Sequence, residues 1–142
     1  MRILKATFAA LFLSLACAAG EQPDNHSVLL PKTEAHAVSS LCSRPAPGKI
    51  DDGWTPAKSE IDALEAHLSS LPVSNVGSYY RQYVGVIIAG RRLVYINAMC
   101  TKPDSGWRPR LQNPCDGGRC FWGAIYDPAT GQFSGLAFNG SF

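Results

Sequence analysis

The sequence predicts an α+β fold, with one amphipathic helix packed on a four-stranded antiparallel meander, the whole stapled by disulfides. Three observations predict it. Ile61, Leu64, Leu68 and Leu71 recur at helical spacing. Two pairs of runs rich in Tyr, Val, Ile and Phe are each joined by a short glycine-containing turn, at Ala89-Gly90 and at Asp127–Gly131. Cys42, Cys100, Cys115 and Cys120 sit in a chain small enough to gain from covalent staples.

Taken in order, the chain of 142 residues opens on Arg2 and Lys5, then an uncharged run from Ala6 to Ala16 and small residues to Gly20. That is the three-part pattern of a secretory signal peptide, and its apolar core is too short to span a bilayer. We place the leader at residues 1–16, with cleavage extending to 20 as the other choice. Leu13-Ser-Leu-Ala-Cys17 loosely fits the lipoprotein box, which makes Cys17 a lipidation candidate. A freely secreted protein cut after Ala18 or Gly20 fits the same residues. Five cysteines are an odd number, and setting Cys17 aside leaves four, enough for two bridges.

Charge bounds the partners. Of 13 basic and 11 acidic residues, the leader takes Arg2 and Lys5, which leaves 11 of each. A near-neutral chain lacks the basic excess that a general nucleic-acid binder needs to displace counterions. Any tie to a membrane is expected only through a lipid anchor on Cys17.

Residues 17–52, with four prolines and no sustained period, read as a flexible tether, and His26 and His36 read as solvated linker histidines. The domain is expected over 53–142. Thr55-Pro56 supplies an N-cap and a proline at the first helical position, and Leu71-Pro72 ends the helix. Strands follow over 79–89 and 93–99, with Arg91 and Arg92 keeping the hairpin tip soluble. A long loop separates Cys100 from Cys120, and strands over 121–126 and 133–138 close the chain. Alternation puts Trp122, Ala124 and Tyr126 on one face and Phe121, Gly123 and Ile125 on the other.

Strand adjacency favours Cys100–Cys120, which leaves Cys42 for Cys115. The competing pairing joins Cys115 to Cys120 across Gly117-Gly118, and Cys42 to Cys100. Neither a Cys-x-x-Cys pair nor any zinc, calcium, phosphate-loop or dinucleotide motif occurs, so no metal and no cofactor is expected.

No catalytic motif is present, and the enzyme question stays open with a lean toward no. Lys102, Trp107, Arg108, Arg110 and Arg119 all belong to the stapled loop. A basic loop with an exposed tryptophan suits an anionic envelope component or an acidic protein. The plainer reading tucks Trp107 onto the sheet and leaves the arginines as solubilising charge.

Tyr80-Arg-Gln-Tyr-Val-Gly85, Leu93-Val-Tyr-Ile-Asn97 with Cys100, Asp116-Gly-Gly-Arg-Cys-Phe-Trp122 and Asn139-Gly140 together resemble a family of small exported bacterial proteins. The resemblance covers about the last two-thirds of the mature chain. It implies a shared fold and no activity. From the export pattern, the staples, the absence of a catalytic motif and the basic-aromatic loop, the expected function is a non-enzymatic envelope binding module, of which an inhibitor or immunity-type role in the periplasm is one form. The alternatives are a small periplasmic hydrolase assembled from Arg81, His67 and Asp116, or a purely structural lipoprotein.

Overall fold

The computed structural model describes residues 26–140. The expected leader and Cys17 lie outside them. Six strands form one mixed sheet: β1 (Ser27–Leu29), β2 (Asp52–Trp54), β3 (Tyr80–Ile88), β4 (Arg91–Met99), β5 (Phe121–Asp127) and β6 (Gln132–Phe138). Helix α1 spans Lys58–His67, and a nine-residue 3-10 segment spans Lys32–Ser40.

The antiparallel run β3-β4-β5-β6 agrees with the sequence reading. The sheet is nevertheless not a four-stranded meander with one helix. The outer side of β3 takes two more strands end to end. β1 runs parallel to it, pairing Ser27 with Arg81, and β2 runs antiparallel, pairing Trp54 with Gly85. Residues 27–52, where a tether was expected, are thus folded onto the sheet, with Leu30, Ala35, Val38 and Ile50 buried. Their few apolar side chains are spaced by no helical or strand period, so only the sheet beneath them gives these residues a partner.

Two glycines permit this. A Cβ on Gly53 would lie 2.1 Å from the Lys32 carbonyl oxygen, and one on Gly85 would lie 2.1 Å from that of Trp54. Backbone passes where a side chain would sit. Pro56 is buried against Gly85, so Thr55-Pro56 belongs to the approach from β2 and does not open the helix. The helix starts later, where Glu60 Oε2 accepts the Ala57 N–H at 2.7 Å. It ends at His67 and continues as one 3-10 turn to Ser70. Trp54 lies in β2 and donates its indole N–H to the Leu93 carbonyl at 2.8 Å.

Both faces of the sheet are covered. On one, Leu64, Leu68 and Leu71 from α1 and the turn after it pack on Tyr83, Val94, Ile96, Trp122, Ala124 and Tyr126. On the other, Leu30, Ala35, Val38 and Ile50 pack on Val84, Val86, Leu93, Tyr95 and Ile125, with Leu111 of the long loop. This explains why β3 and β4 are apolar almost throughout, since a strand buried on both sides cannot alternate. The β3–β4 hairpin closes through two residues, Ala89 and Gly90, at φ 49° and 74°. Two successive positive values match the twist of the flanking strands.

The cysteines pair as Cys42–Cys115 and Cys100–Cys120. Cys100 also donates its backbone N–H to the Cys120 carbonyl at 2.9 Å, so that bridge continues the β4–β5 ladder.

Candidate functional site

The loop between β4 and β5 is held to the sheet by a polar row inside an otherwise apolar face. Gln82 of β3 stands opposite Asn97 of β4, and both are fully buried. Gln82 Nε2 donates to the Trp107 and Arg110 carbonyls, at 2.5 and 2.6 Å. Gln82 Oε1 accepts from Asn97 Nδ2 at 2.8 Å and from the Gln112 N–H at 2.9 Å. Asn97 Nδ2 also reaches the Gln112 carbonyl at 2.8 Å. Two amide side chains thereby satisfy loop backbone groups that would otherwise be buried without partners. At the loop's far end, Asn113 binds the arm formed by residues 27–52, through the Cys42 N–H and the Ser40 carbonyl.

This fastening shapes a cleft of about 550 Å³ at the open end of β3. The Tyr80 ring stands edge-on to both His26, at 4.6 Å, and Trp107, at 6.0 Å. Lys102, Asp104 and Arg108 complete the rim, and the Arg108 guanidinium lies 5.1 Å above the Trp107 ring. Asp104 accepts the Gly106 N–H on its side chain and the Trp107 N–H on its carbonyl, a turn that sets Trp107 inward.

The five residues expected to bind a partner are therefore divided. Lys102, Trp107 and Arg108 line one cleft. Trp107 is buried, at 6% exposure, as the plainer of the two readings has it: it forms the wall beneath the arginine and is not a free anchor. Arg110 is exposed, and its carbonyl holds the Gln82 bond. Arg119 sits apart. Its guanidinium lies 4.3 Å above the Phe138 ring and its carbonyl accepts from the Tyr79 hydroxyl.

The residues offered for hydrolysis have separate engagements. Arg81 is buried and bound to Glu65, Tyr83 and the Gly77 and Tyr79 carbonyls. His67 contacts the Ala63 carbonyl through Nδ1, and the exposed Asp116 uses its carbonyl to accept from Asn139. Among the described residues, no group of three or more His, Cys, Asp or Glu is placed to hold a metal ion.

Sequence reasoning gave no role to Tyr80, Gln82, Asn97 or Arg44, and its solvated linker His26 stands instead against the Tyr80 ring. The signal for two of them was present: Gln82 and Asn97 interrupt runs that are otherwise apolar, and a polar residue at a buried strand position needs a partner. Arg44, which is buried and donates through Nη2 to Asn97 Oδ1, carried no such mark, because nothing in 42–48 suggests burial. Comparison with known protein families, curated proteins and solved structures gave no match to this chain.

Proposed function

We propose that this chain is a non-enzymatic binding module of the bacterial cell envelope, and that its cleft takes an anionic group of an envelope polymer. One observation carries the reading: Lys102 and Arg108 stand on the rim of a cleft walled by Tyr80, His26 and Trp107. Cations over an aromatic, partly desolvated wall suit a carboxylate or phosphate on an otherwise apolar or sugar-like body. The two disulfides are compatible with an exported protein, and among the described residues no helix is long and apolar enough to cross a membrane. Fixation of the loop by Gln82 and Asn97 supports binding by a preformed surface, which avoids the entropy of ordering a free loop.

Calorimetric titration with carboxylate- and phosphate-bearing cell-wall fragments tests this reading, with an acidic peptide as a second arm. Lys102→Ala with Arg108→Ala is expected to weaken binding by about tenfold or more, while Arg119→Ala, away from the cleft, leaves it unchanged. Equal affinity of the double variant and the parent chain removes the cleft from consideration. Preference for the acidic peptide redirects the proposal to a protein partner.

A further inference from the structure

We propose that Arg44 anchors an internal site for a small monovalent anion, a halide or a carboxylate, on the loop-covered face of the sheet. Arg44 is only 5% exposed. Its Nη2 donates to Asn97 Oδ1 at 2.5 Å, but Nε and Nη1 have no partner. A guanidinium carries five N–H donors and no acceptor, so most of its hydrogen-bonding capacity is unmet. No carboxylate is paired with it among the described residues; its one polar partner is a neutral amide. A charge withdrawn from water without a counter-charge is among the most unfavourable arrangements a fold can hold.

The unmet groups show what would complete the site. Nε and Nη1 of Arg44 are donors only, so the surplus is one of donors. Water brings donors as well as acceptors and no charge, whereas an anion answers both the surplus and the charge. Burial lowers the Arg44 pKa, and the Tyr95 phenol is the only group acting in the opposite direction, as expected of a cation without an anion. The site is distinct from the Lys102–Arg108 cleft and does not depend on it.

Thermal unfolding of the oxidised chain, in sodium chloride exchanged against sodium gluconate at constant ionic strength, reads the site directly. Parallel arms use bromide, formate and acetate. Stability is expected to rise with chloride, each tenfold increase above the dissociation constant shifting the unfolding equilibrium by about tenfold. Arg44→Met is expected to abolish that dependence, and Arg44→Lys to retain a weaker one. A response to formate and acetate but not to halides assigns the site to a carboxylate. Equal dependence in the parent chain and Arg44→Met overturns the proposal, as does the absence of any anion dependence. Should Arg44→Met fail to fold, crystals of the parent chain in bromide and in formate decide: a bromide anomalous peak or a formate within hydrogen-bonding distance of Nε or Nη1 supports the site, and an ordinary water there in both overturns it.

Discussion

The two faces of the sheet each bury an arginine and treat it differently. Under α1, Arg81 is 2% exposed and forms a bidentate pair with Glu65, at 3.2 Å to each carboxylate oxygen. It also donates to the Tyr83 hydroxyl, which itself donates to Glu65. Although burial opposes the charged form, Tyr83 and Glu65 outweigh it, and the Arg81 pKa is raised. Under the arm and loop, Arg44 is equally buried but meets only Asn97, and burial wins. The difference follows from what covers each face. A helix with its own backbone bonds satisfied can present a carboxylate inward, so Glu65 is available to Arg81. The loop over this face, unlike a helix, brings unsatisfied backbone groups, and the buried amides Gln82 and Asn97 are used up on them. Nothing remains for Arg44 but one amide oxygen.

That contrast can be broken by mutation. The largest effect is expected on the loop-covered face, where covalent bridges stand in for regular structure. Replacing Cys42 and Cys115 by serine frees a separation of 73 residues and should cost about 4 kcal/mol; the same change at Cys100 and Cys120, 20 residues apart, should cost about 3 kcal/mol. Urea unfolding of the oxidised proteins measures both, and a larger loss at the shorter closure would show that unfolded-chain entropy is not the main contribution.

Next comes the helix-covered face. Glu65→Ala leaves Arg81 and Tyr83 buried without their acceptor and should cost about 2–3 kcal/mol, less than a fully enclosed pair because the Glu65 side chain is 29% exposed. A double-mutant cycle with Tyr83→Phe should show coupling; strict additivity would mean that the three groups do not act together. Asn97→Leu follows, at about 2 kcal/mol, by removing the one acceptor of Arg44 and a donor to Gln82. Its distinguishing sign is faster amide hydrogen exchange at Gln112, whose N–H is held by Gln82, with exchange beneath α1 unchanged.

The smallest effect lies at the β5–β6 turn. Burial alone would raise the Asp127 pKa, but the Ala129 N–H, Arg91 and Thr130 outweigh it and hold the carboxyl below its ordinary value. A depressed folded-state pKa stabilises fully above the unfolded value of about 3.9 and loses that contribution as pH falls through the folded value. Asp127→Asn should therefore flatten the acid limb of stability below about pH 4 and leave its shape near neutrality unchanged. An unaltered acid limb would assign the acid sensitivity elsewhere.

How far the sequence reached differs between the same two faces. The α1 stripe, the four antiparallel strands, the glycine turns and the preferred cysteine pairing were all legible, because each depends on residues near one another in the chain or on adjacent strands. The cleft was legible in part: Lys102, Trp107 and Arg108 were named, but not Tyr80 or His26, which reach it from β3 and the arm. The arm itself was misread. Val28-Leu29-Leu30 and the isolated Ala35, Val38 and Ile50 have no period, and their burial depends on a face of β3 and β4 some fifty residues away.

The four long strands, their glycine turns and α1 were thus written locally, since backbone preference and apolar period act within a few residues. Only the tertiary structure decided that both faces are covered, that two short strands share the outer edge of β3, and that Arg44 is enclosed while Arg119 is not. Burial belongs to a whole surface, and no local pattern encodes what will later be laid across it.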